Sequence, residues 1–232
     1  MTIADYRPAK LTREQQRQLK QRNKDFDAAL KREAGLSKWG YAGGLVFCQR
    51  KNWFICANVT LLWEPGIEID IGIKPMELDP LFWDIVGLGE NRALPLSFRA
   101  NGAWVLRPAT SRARFGPDVS DVGTLAALAM AEIDRWAGEL VASTSITTMQ
   151  NALPKGEDLR GHPRALAVCL SLLNNDPDRA QQLCRTDDSN AHPLVREGGG
   201  FSTHNPDGSV STFLDQAREW IAQKRRSDMR TV

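Results

Sequence analysis

A strict alternation of isoleucine with polar residues or glycine is the feature that most constrains this fold. Isoleucine occupies every second position from 67 to 73, within the segment IEIDIGIK that ends at Lys74. Side chains on a β-strand alternate between the two faces of a sheet, so the isoleucines share one face and the intervening residues share the other. The pattern predicts an antiparallel sheet with one buried face and one face that is exposed or lightly covered.

Four further strands are predicted around this one. Their ranges are 43–49, 53–63, 94–100 and 103–107. The last two flank Asn101-Gly102, a dipeptide typical of a type I′ turn because both central residues of that turn need positive φ. In a two-residue hairpin centred there, Arg99 would lie directly opposite Trp104.

Helices are predicted on both sides of the strands. Thr12 and Gln15 form a potential capping box, which predicts a helix that ends near Gly35. A single helical turn is expected at 78–83, with Asp79 as its cap. The other predicted helices cover 121–143, 163–173 and 177–185, and a last one follows Phe213.

Strands followed by helices predict an α+β protein. The expected architecture is an N-terminal helix, an antiparallel five-stranded sheet and a C-terminal helical subdomain. We place the helix and sheet in a domain at 1–117 and the helical subdomain at 118–232, packed on or beside the sheet.

Composition and local sequence predict a cytoplasmic protein. The chain has 232 residues with a formal net charge of +2. No apolar run approaches the roughly 18 residues needed to span a bilayer, so no membrane contact is expected. The first residues lack the apolar core of a secretory signal. The four cysteines show no C-x-x-C spacing and are expected to be reduced thiols.

Charge is distributed unevenly along the middle of the chain. Residues 64–90 contain seven acids and one lysine, whereas residues 91–117 contain five arginines and no acid. The two groups could neutralise each other across the sheet. They could also form a surface that steers a charged partner.

No catalytic residue, metal ligand or cofactor is predicted. Glu68 and Asp70 share a strand face, as the carboxylates of metal-dependent nucleases do. Those nucleases place a lysine two residues after the second acid, whereas Lys74 follows Asp70 by four. The three histidines lack the spacing of a zinc site.

The arginine-rich stretch is the predicted partner-binding surface. Arginine and tryptophan are enriched in binding hot spots, and an arginine stacked on an exposed tryptophan is stabilising by about 0.5–1 kcal/mol. The alternative is that a C-terminal helix covers the tryptophan. The predicted partner-binding residues are Arg92, Arg99, Trp104, Arg107 and Arg112.

The N-terminal helix is densely basic, but acids are interleaved with its lysines and arginines. This favours a helix that packs one narrow apolar face and exposes the others to solvent. Contact with nucleic acid is the alternative.

Three segments carry a resemblance to a known group of proteins. They are the basic helix with Phe26 and Leu30, the Gly-Leu-Val-Phe sequence at 44–47, and Ile-Gly-Ile-Lys-Pro at 71–75. With the paired strands between them, they resemble small bacterial α+β domains of uncharacterised function. Some of these domains resemble immunity proteins of polymorphic toxin systems. The resemblance covers about 26–107 and implies no catalytic residues.

We therefore expect a non-catalytic cytoplasmic protein that binds another protein. An immunity-type inhibitor that covers a toxin is the expected example, and an acidic toxin domain would suit the arginines. One alternative is a metal-dependent enzyme that processes nucleic acid, with Glu68 and Asp70 as metal ligands. Another is an adaptor that binds through its helical half.

Overall fold

The computed structural model describes residues 12–62, 66–101, 106, 111–115, 121–154, 161–185, 202–204, 208 and 210–228. The helices are α1 (Arg13–Leu36), α2 (Leu78–Ile85), α3 (Phe98–Asn101), α4 (Val122–Ser143), α5 (Ile146–Ala152), α6 (Gly161–Leu173), α7 (Pro177–Cys184) and α8 (Phe213–Asp228). A 3₁₀ helix covers Gly89–Ala93. The strands are β1 (Gly40–Ala42), β2 (Leu45–Arg50), β3 (Trp53–Leu61), β4 (Ile67–Pro75), β5 (Ser111–Phe115), β6 (Ser202–His204) and β7 (Val210–Thr212).

Strands β1 to β5 follow one another in sequence order across one sheet, and all neighbours are antiparallel. Ile73 of β4 lies opposite Ile55 of β3, and Asp70 of β4 lies opposite Arg112 of β5. β6 and β7 form a separate two-stranded ladder. The α+β class and the antiparallel sheet with helices before and after it are confirmed.

The isoleucine face of β4 is buried, as its alternation predicts. Ile67, Ile69 and Ile71 are at most 1% exposed, and Ile73 is 7% exposed. Helix α4 packs against this face, and α1 packs against α4 and β1 in the same core. Burial of a whole isoleucine side chain is worth about 1.5–3 kcal/mol, so each of these four residues contributes substantially to the stability of the first apolar core.

Helix α1 begins and packs as its sequence predicts. The side chain of Thr12 accepts a hydrogen bond from the backbone of Gln15, and the Gln15 side chain accepts one from the backbone of Thr12. One narrow face is buried against the sheet and α4, formed by Phe26, Ala29, Leu30 and Ala34.

A second apolar core lies among the later helices. It joins α2 to α5, α6, α7 and α8, and its largest buried side chains include Trp83, Phe82 and Phe213. The rings of Phe82 and Phe213 stack with centroids 5.4 Å apart.

The division into two domains between residues 117 and 118 stays a prediction, but the two apolar cores do not follow it. Helix α4 belongs to the first core and α2 to the second.

The predicted strand at 94–100 is wrong. This segment follows the 3₁₀ helix and runs into α3, which includes Asn101 of the predicted turn. Tertiary contacts explain the difference, because the Phe98 ring packs 5.7 Å from Trp83 of α2. Residues 102–105 and 107–110, and with them most of the second predicted strand, lie outside the described residues. The neighbour of β4 on this side is instead β5, which the sequence did not predict.

Smaller differences concern the start of one strand and several short elements. The first strand was predicted from Gly43, but Gly43 and Gly44 have φ of 57° and 82° and form the turn between β1 and β2. The edge strand β1 and the short helix α5 were not predicted.

None of the described helices combines the length and the apolar character that crossing a membrane requires.

Candidate functional site

The face of the sheet opposite α1 and α4 changes character along its length. At one end the rings of Phe47 and Phe54 stack with centroids 6.1 Å apart, and both residues are buried. At the other end the residues are polar and accessible to solvent. We call this second part the open sheet face and define it by Asn58, Thr60, Glu68 and Asp70. Asn58 and Thr60 are exposed, and the two acids are half-buried.

The segment from Leu96 to Ala100 covers the aromatic end of this face. Ala100 of α3 is 2% exposed and packs with Phe47 and Phe54. Leu45 and Leu96 contact the same cluster and remain partly exposed, and Leu45 lies opposite Asn58 in the sheet. We call Leu45 and Leu96 the apolar rim. Apolar surface that water reaches therefore lies beside the open sheet face.

A buried ion pair holds the covering segment in place. The Nζ atom of Lys74 lies 2.9 Å from Oδ1 and 2.7 Å from Oδ2 of Asp79. It also donates to the carbonyl oxygen of Leu106 at 2.8 Å and to that of Arg99 at 3.2 Å. The backbone N–H of Leu106 donates to Oδ1 of Asp79 at 3.1 Å. The pair thus binds both polar backbone groups of Leu106.

Burial makes this pair sensitive to any change in its partners. Lys74 is 3% exposed and Asp79 is fully buried. Burial lowers the pKa of Lys74 below its usual value, and the Asp79 carboxylate opposes that shift. An ammonium can donate three hydrogen bonds, and the three acceptor groups named above satisfy all of them. Such a pair is costly to break, because the remaining charge stays buried without its counter-charge.

The position of Asp79 corrects the predicted start of α2. The cap residue is Glu77, which makes no side-chain capping hydrogen bond. Asp79 lies inside the first turn, and its carboxylate is directed to Lys74 and to Leu106 instead. A buried ammonium without a counter-charge would cost more than the roughly 1 kcal/mol that a helix cap supplies.

Arg99 also lies against this pair. Its side chain is 13% exposed, its Nη1 atom lies 4.0 Å from Oδ2 of Asp79, and its guanidinium carbon lies 5.5 Å from the centroid of a Trp83 ring. It donates a hydrogen bond of 2.5 Å to the carbonyl oxygen of Met76. Burial lowers the pKa of Arg99 below its usual value, and Asp79 opposes the shift. Arg99 therefore ties α3 to α2 and presents little charge to solvent.

The structure describes two of the other four predicted partner-binding residues, and these two lie on different elements. Arg92 is at the surface and forms an ion pair with Asp84 of α2. Arg112 lies on β5 opposite Asp70, at the edge of the open sheet face. Trp104 and Arg107 lie outside the described residues.

The two acids of the open sheet face have arginines as neighbours in register. Asp70 lies opposite Arg112, and Glu68 lies opposite Arg114. Within the described ranges, no group of three or more His, Cys, Asp or Glu side chains could hold a metal ion.

Sequence reasoning missed the ion pair, although a signal was present. Lys74 ends the polar face of a strand whose other face is all isoleucine, and an acid follows five residues later in an apolar segment. A lysine and an acid that are both buried by these elements are expected to pair, because burying either charge alone is costly. The partial covering of the sheet by residues 96–100 had no comparable signal.

Comparison with known proteins identifies no relative. No family model matches the chain, and neither the curated proteins nor the solved structures gave a significant match. The resemblance to toxin-immunity domains therefore stays a prediction from the sequence.

Proposed function

We propose that this protein is a non-catalytic binding protein and that another protein docks on its open sheet face and apolar rim. The observation that carries the proposal is the placement of exposed polar residues beside partly exposed leucines on one face of the sheet. Protein interfaces combine an apolar centre with polar groups around it, and this part of the surface offers both.

The buried ion pair supports the proposal through rigidity. Lys74 and Asp79 hold the backbone at Arg99 and Leu106, and Ala100 packs on the aromatic end of the sheet face. A surface that is already ordered loses little conformational entropy when a partner binds, so more of the contact energy appears as affinity.

The immunity-type role is part of the proposal and rests on the resemblance of residues 26–107. Such a protein would act by covering the active site or the partner surface of a toxin. The acidic character of the partner is not carried over. The prediction of an acidic partner required Arg99 and Arg92 to be exposed and unpaired. Arg99 is instead mostly buried, and Arg92 is paired with Asp84.

The test is recovery of a protein partner from the native cell, followed by affinity measurements with purified components. Thr60→Arg together with Leu45→Glu places a large cation on the open sheet face and an acid in the apolar rim. The matched control is Thr147→Arg together with Leu128→Glu, at a threonine of α5 and a leucine of α4 that are exposed.

We expect the control to bind like the wild type and the first double variant to lose at least about tenfold in affinity, or about 1.4 kcal/mol. The complex should survive moderate salt, because salt screens interactions between charges and leaves the contacts to the leucines of the apolar rim intact. Equal affinity of the two double variants would place the interface elsewhere. Loss of binding in the control alone would favour an adaptor that uses its helical half.

A metal-dependent enzyme acting on nucleic acid is the second candidate, because Glu68 and Asp70 share a partly accessible face with Arg112 and Arg114 on the next strand. A ligand that binds the native state raises the unfolding temperature. We expect no such rise with millimolar Mg²⁺ or Mn²⁺. A rise that disappears in Glu68→Ala or Asp70→Ala would favour the enzyme instead.

A further inference from the structure

Helix α1 carries a continuous line of cations on its outer side. The five residues are Arg13, Arg17, Lys20, Lys24 and Lys31, and all are exposed. We call them the basic stripe. At 100° per residue they fall within about 60° of the helix circumference. The buried face of the helix, with Phe26 and Leu30, lies on the opposite side.

The acids of α1 are kept away from the basic stripe. Glu14 accepts a hydrogen bond from Gln18, Asp25 accepts one from Gln21, and Glu33 pairs with Arg32. Asp27 borders the stripe, but it accepts a hydrogen bond from the hydroxyl of Tyr41 on β1. Within the described part of the chain, no hydrogen bond or ion pair joins a stripe residue to a carboxylate. Apart from Asp27 at its border, the stripe is therefore separated from the acids that are interleaved with it in the sequence.

The basic stripe extends along most of the length of α1. From Arg13 to Lys31 the helix rises about 27 Å. Over this length one strand of B-form DNA carries about eight phosphates. Because α1 is a regular helix held by its buried residues between 26 and 34, the backbone positions of the five cations are set before binding, and binding needs to order only their side chains.

We propose that the basic stripe binds the phosphate backbone of double-stranded DNA without sequence preference. The stripe contains no aromatic or apolar side chain, so it lacks the apolar centre that a protein interface requires. The apolar face of α1 is buried against the sheet and α4, so the helix has no apolar face free to enter a membrane. Phosphate contacts need only fixed positive charge.

This site is independent of the proposed protein-binding face. Helix α1 packs on the isoleucine side of the sheet, and the stripe points away from the sheet. The open sheet face lies on the other side. A DNA backbone and a protein partner could thus occupy the chain at the same time.

The test is fluorescence anisotropy with the full chain and a labelled duplex of about 20 base pairs, between about 50 and about 200 mM salt. If all five cations contact phosphates, the slope of log K against log salt is about −4.5, which is a roughly 500-fold loss of affinity over this range. Lys20→Gln with Lys24→Gln should change the slope to about −2.7, a loss of roughly 40-fold. Glutamine is a good helix former, so α1 should remain intact.

The matched control removes two exposed cations from α8, in Lys224→Gln with Arg226→Gln. Its slope should equal that of the wild type, although its net charge equals that of the α1 variant. Equal slopes for the two variants would overturn the proposal, because net charge and not the stripe would then govern binding. Absence of duplex binding at the lowest salt would also overturn it. So would binding to phosphatidylserine vesicles without binding to the duplex.

Discussion

At the scale of single residues, the pair formed by Lys74 and Asp79 has the largest structural consequence. It joins the end of β4, the first turn of α2 and the backbone of Leu106. Each of these lies in an apolar environment, and none of their polar groups can be left without a partner at low cost. The pair therefore determines where the chain runs after the sheet.

Asp79→Ala should lower the free energy of unfolding by about 3–5 kcal/mol, since it leaves the Lys74 ammonium buried without a counter-charge. Urea denaturation measures the effect. Asp84→Ala is the matched control, because it removes an acid from the same helix and breaks only the surface pair with Arg92. Its expected cost is at most about 1 kcal/mol. Equal effects of the two substitutions would contradict the buried pair.

The thiol of Cys48 gives a pH-dependent test. Burial, as the largest cause, raises its pKa to about 11. Thiolate is the reactive form, so alkylation of Cys48 in the native protein should rise with pH around a midpoint near 11. In urea the midpoint should be near the usual value of about 8.5. Mass spectrometry of the alkylated peptide gives both midpoints, and identical values would refute the buried position.

The raised pKa of Cys48 also makes the free energy of unfolding depend on pH. Between pH about 9 and about 11 the unfolded chain releases a proton that native Cys48 retains. The native state then binds more protons, so this residue contributes a free energy of unfolding that falls as the pH rises through that range.

At the scale of elements, the edge strand β1 depends on a close approach to β2. Gly40 lies opposite Phe47, and a Cβ atom on Gly40 would lie 2.4 Å from two ring carbons of that residue. The ring cannot move freely, because it is stacked on Phe54 and buried. The absence of a side chain at Gly40 therefore leaves the space that the Phe47 ring occupies at the aromatic end of the sheet face.

Gly40→Ala should destabilise the protein by more than about 1 kcal/mol, as overpacking of a filled site does. Gly35→Ala is the control, because a Cβ atom there meets nothing within 4 Å and the residue is part of helix α1. That substitution should stabilise by about 0.5–1 kcal/mol. Thermal unfolding compares the two. An unchanged or higher unfolding temperature for Gly40→Ala would contradict the packing of β1 on β2.

At the scale of the whole molecule, local patterns predicted the elements that have a strong period or a cap. The isoleucine strand, the capping box of α1 and the apolar stripe of α4 each depend on residues close in sequence. The segment 94–101 was predicted wrongly because its conformation depends on distant partners. Phe98 packs on Trp83, and the carbonyl oxygen of Arg99 binds Lys74.

The candidate site was less predictable than the fold for the same reason. The sequence identified the acidic and basic stretches and placed Glu68 and Asp70 on one face. It could not show that Arg99 turns inward, because that depends on the position of Asp79. Nor could it separate the acids of α1 from the basic stripe, which required the partners of each acid, such as Tyr41 for Asp27.

The most direct test of the proposed function is site-specific photocrosslinking of the partner once it has been recovered. A photoreactive benzoylphenylalanine is placed at Thr60 of the open sheet face or, in the control, at Thr147 of α5. Both positions are exposed. We expect a covalent product containing one chain and one partner from position 60 and none from position 147. Crosslinking from position 147 and none from position 60 would contradict the account.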